Sequence, residues 1–211
     1  MAGGRKHWDD VYEARAEDEL TWFEATPAVS VDLVRRYLQP GDPLVDVGGG
    51  ASRLVDALLE DGLGPLSVLD LSGAALAASR KRLGARADRV NWVEADVTQW
   101  QPDRTYAVWH DRAVFHFLTE AADRAAYARA MADALRPDGV AIIATFAEDG
   151  PEMCSGLPVV RYAPEGLARE FEKLLPGRLD QIDSRRHMHV TPKGNRQSFQ
   201  YGIFRNTGHE T

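Results

Sequence analysis

The chain has 211 residues, 44% of them hydrophobic and 27% charged, an ordinary globular mixture for one domain with a sizeable core. Its 25 Lys and Arg against 32 Asp and Glu leave a net charge of −7, the wrong sign for holding nucleic acid or an anionic membrane by bulk electrostatics. The single cysteine, Cys154, excludes an intramolecular disulfide and a multi-cysteine metal site, no apolar run approaches a bilayer span, and the amino terminus lacks an apolar signal core, so a cytoplasmic protein without nucleic-acid or membrane partners is expected.

One domain, residues 1–211, is expected, with an amino-terminal helical cap over residues 1–40 and a core sheet over 43–205. In the cap, Trp8, Val11 and Tyr12 sit at helical spacing, and Ala28–Leu38 carries Val31, Val34 and Leu38 on one helix face. Between them Thr21-Trp22-Phe23-Glu24 sets two aromatics side by side, which suits a segment folded onto a pocket or one that fills core. From Pro43 onward, short apolar runs alternate with longer segments of helical period, the pattern of a mostly parallel sheet flanked by helices. Strands are predicted at Leu44–Val47, Leu66–Leu71, Val90–Glu94, Tyr106–Trp109 and Val140–Phe146. Helices are predicted at Ser52–Glu60 and Ser72–Leu83, each opening on a serine suited to an N-cap, and at Glu120–Leu135, stopped by Arg136-Pro137-Asp138-Gly139. After a Gly/Pro-rich excursion, Glu148–Tyr162, come a helix, Pro164–Leu175, and two β segments, Arg178–Val190 and Gln197–Phe204, which with no helix between them should pair antiparallel.

The segment Leu44-Val45-Asp46-Val47-Gly48-Gly49-Gly50 is a buried strand running into three glycines, where a ligand can approach the backbone closely. A dinucleotide fingerprint would place a third glycine at Arg53, and a phosphate loop would need Gly-Lys-Ser/Thr; neither is present. Asp46 at the strand's carboxyl end repels phosphate and suits a ligand with positive charge, such as an ammonium group. Asp70 ends the next strand 24 residues later, near the offset at which a carboxylate grips ribose hydroxyls in doubly wound folds. Asp96 follows the third strand. Three acids at successive strand ends describe a single pocket along one sheet edge.

This arrangement resembles the class I S-adenosylmethionine-dependent methyltransferases over nearly the whole chain. The resemblance implies an α/β, Rossmann-like, doubly wound seven-stranded sheet, mostly parallel with a reversed last strand and helices on both faces. It also implies S-adenosylmethionine as cofactor. Asp46, Gly48, Gly49 and Gly50 would hold its methionine end, Asp70 with Leu71 its ribose, and Asp96 with the Val97 backbone its adenine. Ser52 stands where many members have a further glycine.

In Tyr106-Ala107-Val108-Trp109-His110-Asp111-Arg112 the first half reads as a strand, so His110 and Asp111 are expected to emerge at the carboxyl edge beside the cofactor, as its contact or as catalytic groups. The alternative is structural, with Asp111 capping the next segment and His116 in the core. With Glu148–Pro158, this stretch resembles a bacterial subgroup similar in layout to eukaryotic protein-lysine methyltransferases, although those have Asp-Lys-Gly-Thr where this chain has Asp111-Arg112-Ala113-Val114. Trp8, Tyr12, Trp22, Phe23 and Cys154 are expected to form a lid or substrate wall. His187 and His189 share a strand face, but without an obvious carboxylate or cysteine partner no metal site is expected. The expected partner is a small-molecule methyl acceptor, with a protein lysine, or cofactor binding without catalysis, as alternatives.

Overall fold

The computed structural model describes residues 3–208. Strands β1 (Leu44–Val47), β2 (Leu66–Asp70), β3 (Val90–Glu94), β4 (Tyr106–Arg112) and β5 (Leu135–Phe146) are followed by a small hairpin, β6 (Met153–Cys154) and β7 (Leu157–Pro158), and by β8 (Leu179–Val190) and β9 (Arg196–Asn206). The main sheet has seven strands in the order β3-β2-β1-β4-β5-β9-β8. The first five are mutually parallel, and β9 runs antiparallel to both β5 and β8, which is the reversed last strand expected. Every residue of β1 and β2 is buried, as parallel strands covered on both faces require.

Among the described residues, six α-helices surround the sheet: α1 (Gly4–Ala14), α2 (Ala28–Tyr37), α3 (Leu54–Glu60), α4 (Gly73–Leu83), α5 (Ala121–Ala134) and α6 (Pro164–Leu174). On one face Val31 and Val34 of α2, Leu54 and Leu58 of α3 and Leu76 of α4 form a core with Leu44, Val108 and Ile142. On the other, Tyr127 and Met131 of α5 and Leu167 and Phe171 of α6 pack with Val45, Trp109 and Ile143. The two halves of residues 1–40 differ: α2 buries five residues in the sheet's helical layer, whereas α1 buries none. Instead α1 docks through Asp9, whose Oδ1 accepts a 2.6 Å bond from Ser72 Oγ just after Asp70 and Leu71. No helix among the described residues is long and apolar enough to cross a membrane.

Several boundaries differ from expectation for local reasons. Ser72 caps α4 as predicted, accepting from Ala75 N at 3.1 Å, but α3 begins two residues past Ser52, whose hydroxyl accepts from Leu54 N. Arg136-Pro137-Asp138-Gly139 interrupts the β4–β5 register between Tyr106↔Leu135 and Val108↔Val140, with Asp138 at φ 60, so β5 begins before this irregularity. Most consequential, β4 continues to Arg112, because it pairs with both β1 and β5 through residues 110 and 111. His110 and Asp111 therefore lie within the sheet, not past its end.

Candidate active site

Each glycine of the turn after β1 is required for a different reason. Gly48 has φ 67, a left-handed conformation, and a Cβ there would strike the Val114 side chain. A Cβ on Gly49 would lie 2.5 Å from Asp46 Oδ2, and one on Gly50 would lie 2.5 Å from Asp70 Oδ2 and 2.7 Å from Ala75 Cβ. The turn is held by Gly48 N donating to Leu69 O at 2.7 Å and Gly50 N donating to Asp70 Oδ2 at 3.0 Å. From α4, Ser79 Oγ donates to Gly50 O, and Arg82, paired with Asp56 at 2.7 Å and Glu17 at 2.9 Å, donates to Ser52 O. Ser79 and Arg82 work through long-range contacts and carry no motif of their own in the sequence.

Gly48 of the turn forms part of the wall of a cavity whose empty space, open mouth included, is about 740 Å³. Gly48, Asp70, Leu71 and Val97 line it from the sheet edge. Trp8, Tyr12, Trp22 and Cys154 line it from the segments singled out as lid, and Phe117, Phe146 and Phe199 add aromatic surface. The rings lean on one another edge to face: Trp8 lies 5.1 Å from Phe117 and 6.1 Å from Trp22, and Tyr12 lies 6.0 Å from Trp22. Phe23 is not on this wall; its ring lies under the Arg53 guanidinium at 5.3 Å.

Asp70 is buried and accepts from Ser72 N at 2.8 Å as well as from Gly50 N. Burial outweighs those two donors and, with the negative charges of Asp46 and Asp9, pushes its carboxyl up to about 6. Asp96 is half-buried and holds its loop by accepting from Thr98 N at 2.9 Å and Thr98 Oγ1 at 2.7 Å; its neighbours Ala95 and Val97 face the cavity.

His110 and Asp111 sit deeper than expected. His110, 2% exposed, is fixed at both ring nitrogens, with Nδ1 2.7 Å from Asp46 Oδ1 and Nε2 2.9 Å from Ser30 Oγ of α2. Neither His110 nor Asp46 lines the cavity; Asp46 lies beneath Gly49 with Oδ2 buried and lacking a hydrogen-bond donor. Asp111 accepts from Val114 N at 2.7 Å and Phe115 N at 3.0 Å in the segment that follows β4, and from Tyr127 Oη of α5 at 2.6 Å. That is the capping alternative. Burial pushes its carboxyl up to about 6 despite those donors. Asp111→Ala is therefore expected to cost about 3 kcal/mol of folding stability in a urea titration, because it leaves two backbone donors and a phenol unpaired, with Asp111→Asn milder.

His116 is fully buried, with burial holding its imidazolium down at about 3, and belongs to the core. The Cys154 thiol is pushed up to about 12 by burial and stays protonated on the cavity wall. Arg112, which entered the sequence analysis only within the Asp111–Val114 stretch, lines the cavity, donates to Trp22 O at 3.0 Å, pairs with Glu24 at 3.1 Å and stacks over Phe199 at 4.9 Å. Gln197 and Phe199 reach the same wall from β9, positions with no distinguishing pattern in the sequence.

Solved structures share this architecture. A protein from work on the conversion of a disulfide bond into a thioacetal group during echinomycin biosynthesis superposes with a TM-score of 0.75 at 21% identity, covering 97% of this chain and 94% of its own. The 1,6-didemethyltoxoflavin-N1-methyltransferase of Burkholderia thailandensis, solved with 1,6-didemethyltoxoflavin and S-adenosylhomocysteine, gives a TM-score of 0.68 at 20% identity over 96% of this chain and 84% of its own. The fold is that of the class I, S-adenosylmethionine-dependent methyltransferases. Residues 44–139, somewhat under half of the chain, match the family described as a methyltransferase domain. The eEF1A lysine and N-terminal methyltransferase of Mus musculus is 23% identical over 111 residues, 52% of this chain, which spans 16% of that protein's length.

Proposed function

We propose that this protein transfers the methyl group of S-adenosylmethionine to a small-molecule acceptor held in the aromatic cavity. The observation that carries the proposal is the enclosure: Gly48 of the glycine turn and Asp70 form part of one wall, and Trp8, Tyr12 and Trp22 close the side that the parallel strands leave open.

Two features fit the cofactor. The glycine cradle is space that a single Cβ would fill, and the donorless Asp46 Oδ2 beneath Gly49 places negative charge under the position an ammonium group would take. In this assignment Asp70 accepts from the ribose hydroxyls, with Leu71 beside it, and Asp96 and Val97 flank the adenine. Gly48, Gly49 and Gly50 receive the methionine end. The bound cofactor supplies an electrophilic methyl group on a sulfonium. His110 acts as a positioning residue: it fixes Asp46 against β4 and ties the turn to α2. Tyr12, held above its ordinary range by burial, and Cys154 stay protonated at neutral pH and favour no proton-abstraction step. The protein's contribution is then alignment and exclusion of water, worth about 7 to 11 kcal/mol when geometry is well set. A cytoplasmic location, expected from the single cysteine, is part of this proposal.

One finding favours a second assignment, a protein lysine acceptor: the match to the eEF1A methyltransferase, to which the net charge of −7 adds complementarity with basic targets. Methyl-labelled cofactor supplied with thiols, amines, carboxylates and fractionated lysate separates the assignments. Label on low-mass products is the expected result. Label confined to protein supports the lysine alternative, and binding without transfer supports the non-catalytic one.

A further inference from the structure

His187 and His189 stand two residues apart on β8, so strand alternation turns both imidazoles to one face, while Met188 between them is 41% exposed. The third group comes from far along the chain. Glu24 Oε1 lies 3.4 Å from His187 Nε2 and 3.1 Å from His189 Nδ1, and the three ligating atoms all fall within 4.8 Å of one another. Ligand atoms around a tetrahedral zinc ion with bonds near 2.0–2.1 Å are separated by about 3.3 Å, so the two separations from Glu24 already match a coordination shell, with the imidazoles within reach of it.

The second imidazole nitrogen of His189 adds an independent observation. Its Nε2 is 2.8 Å from the Thr21 carbonyl oxygen, which can only accept, so Nε2 carries the proton and donates. In the neutral ring Nδ1 then offers a lone pair, and it faces a carboxylate oxygen that is also an acceptor. Two acceptors in that position need a proton or a metal ion between them. His187 Nε2 converges on the same oxygen, so both imidazoles and the carboxylate face one another. A backbone carbonyl on the non-ligating nitrogen is also the orienting partner that metal-bound imidazoles ordinarily have. From these contacts we propose that Glu24, His187 and His189 bind a divalent ion of the zinc class, with water completing the shell from the open cleft that Asp18 and Phe23 also line. Arg112 Nη2, 3.1 Å from the same Glu24 oxygen, orients the carboxylate and opposes the ion's charge, which weakens binding.

The site would act as a clasp. Thr21–Glu24 carries Trp22, a wall of the cavity, and the ion would tie this segment to the sheet's edge strand. The proposal stands apart from the methyltransferase assignment, since metal binding is read without cofactor or acceptor.

The test uses the full chain without an affinity tag, stripped of metal, titrated with zinc by calorimetry and with cobalt(II) as a visible probe. The expected result is one equivalent bound with micromolar Kd, an intense cobalt band of tetrahedral type and a higher melting temperature. His187→Ala, at a half-exposed position, and Glu24→Gln are each expected to weaken binding roughly tenfold or more and to abolish the band. Absence of saturable binding, or full affinity in a folded His187→Ala protein, would overturn the proposal. Should Glu24→Gln fail to fold, the His187→Ala comparison decides.

Discussion

Asp70→Ala is expected to weaken S-adenosylhomocysteine binding by about 2 to 4 kcal/mol, a loss of roughly 30- to 900-fold, measured by calorimetry on a variant whose melt shows it folded. The carboxylate does two jobs in the proposed site. It holds Gly50 N and Ser72 N, and so shapes the turn, and it presents a charged acceptor at the cavity wall. Removing it leaves buried donors on both sides. Asp70→Asn keeps an acceptor oxygen and is expected to be milder. The sign of the pH dependence follows from the same burial. With its carboxyl raised to about 6, Asp70 is partly protonated in the free protein just below neutrality, and hydroxyl donors favour the ionised form. Affinity is therefore expected to rise with pH up to about 6 and then level, by at most about tenfold per unit, and Asp70→Asn should flatten the profile. Unchanged affinity in a folded Asp70→Ala protein would remove this residue from the site.

Deleting residues 1–15 is expected to leave a cooperative thermal transition while lowering turnover roughly 100-fold or more. The cut falls after α1, which buries no residue of its own, and spares Leu20, which is 1% exposed, and Glu17, which pairs with Arg53 and Arg82. A longer cut to residue 24 would take those anchors as well and confuse lost activity with lost folding. What the shorter cut removes is specific: Trp8 and Tyr12 from the cavity wall, and the Asp9 bond that latches α1 onto the loop after Asp70. Aromatic faces attract a sulfonium as they do an ammonium, by roughly 0.5 to 2 kcal/mol each depending on desolvation. Their larger contribution is to keep water out. Full turnover in the truncated protein would refute the lid, and loss of the transition would mean that Trp8, which also packs against core residues, holds the fold.

The parts of this molecule that were legible in its sequence are those encoded locally. The runs Leu44–Val47 and Leu66–Asp70 are apolar enough to be parallel strands, Ser72 is an N-cap by residue type, and the absence of a helix between residues 190 and 196 leaves β8 and β9 to pair antiparallel. Where β4 ends was not legible, because His110 and Asp111 look polar in isolation and are buried only through partners 64, 80 and 16 residues away in Asp46, Ser30 and Tyr127. For the same reason Arg112 and Arg82 carried no signal: a guanidinium that crosses an element to brace a turn leaves no spacing rule. Trp22 and Phe23 show the limit of composition alone, since adjacent aromatics in one segment went to different places, one onto the cavity and one under Arg53.

The central claim is that the cavity between the glycine turn and the amino-terminal aromatics is an adenosyl-cofactor site. Parallel titrations of the protein with S-adenosylhomocysteine and with NAD, followed by calorimetry and by tryptophan fluorescence, test it most directly. The expected result is one-to-one binding of the adenosyl ligand in the micromolar range or tighter, with a fluorescence change that Trp8→Phe or Trp22→Phe diminishes, and no response to NAD. Binding of NAD without any response to S-adenosylhomocysteine would contradict it.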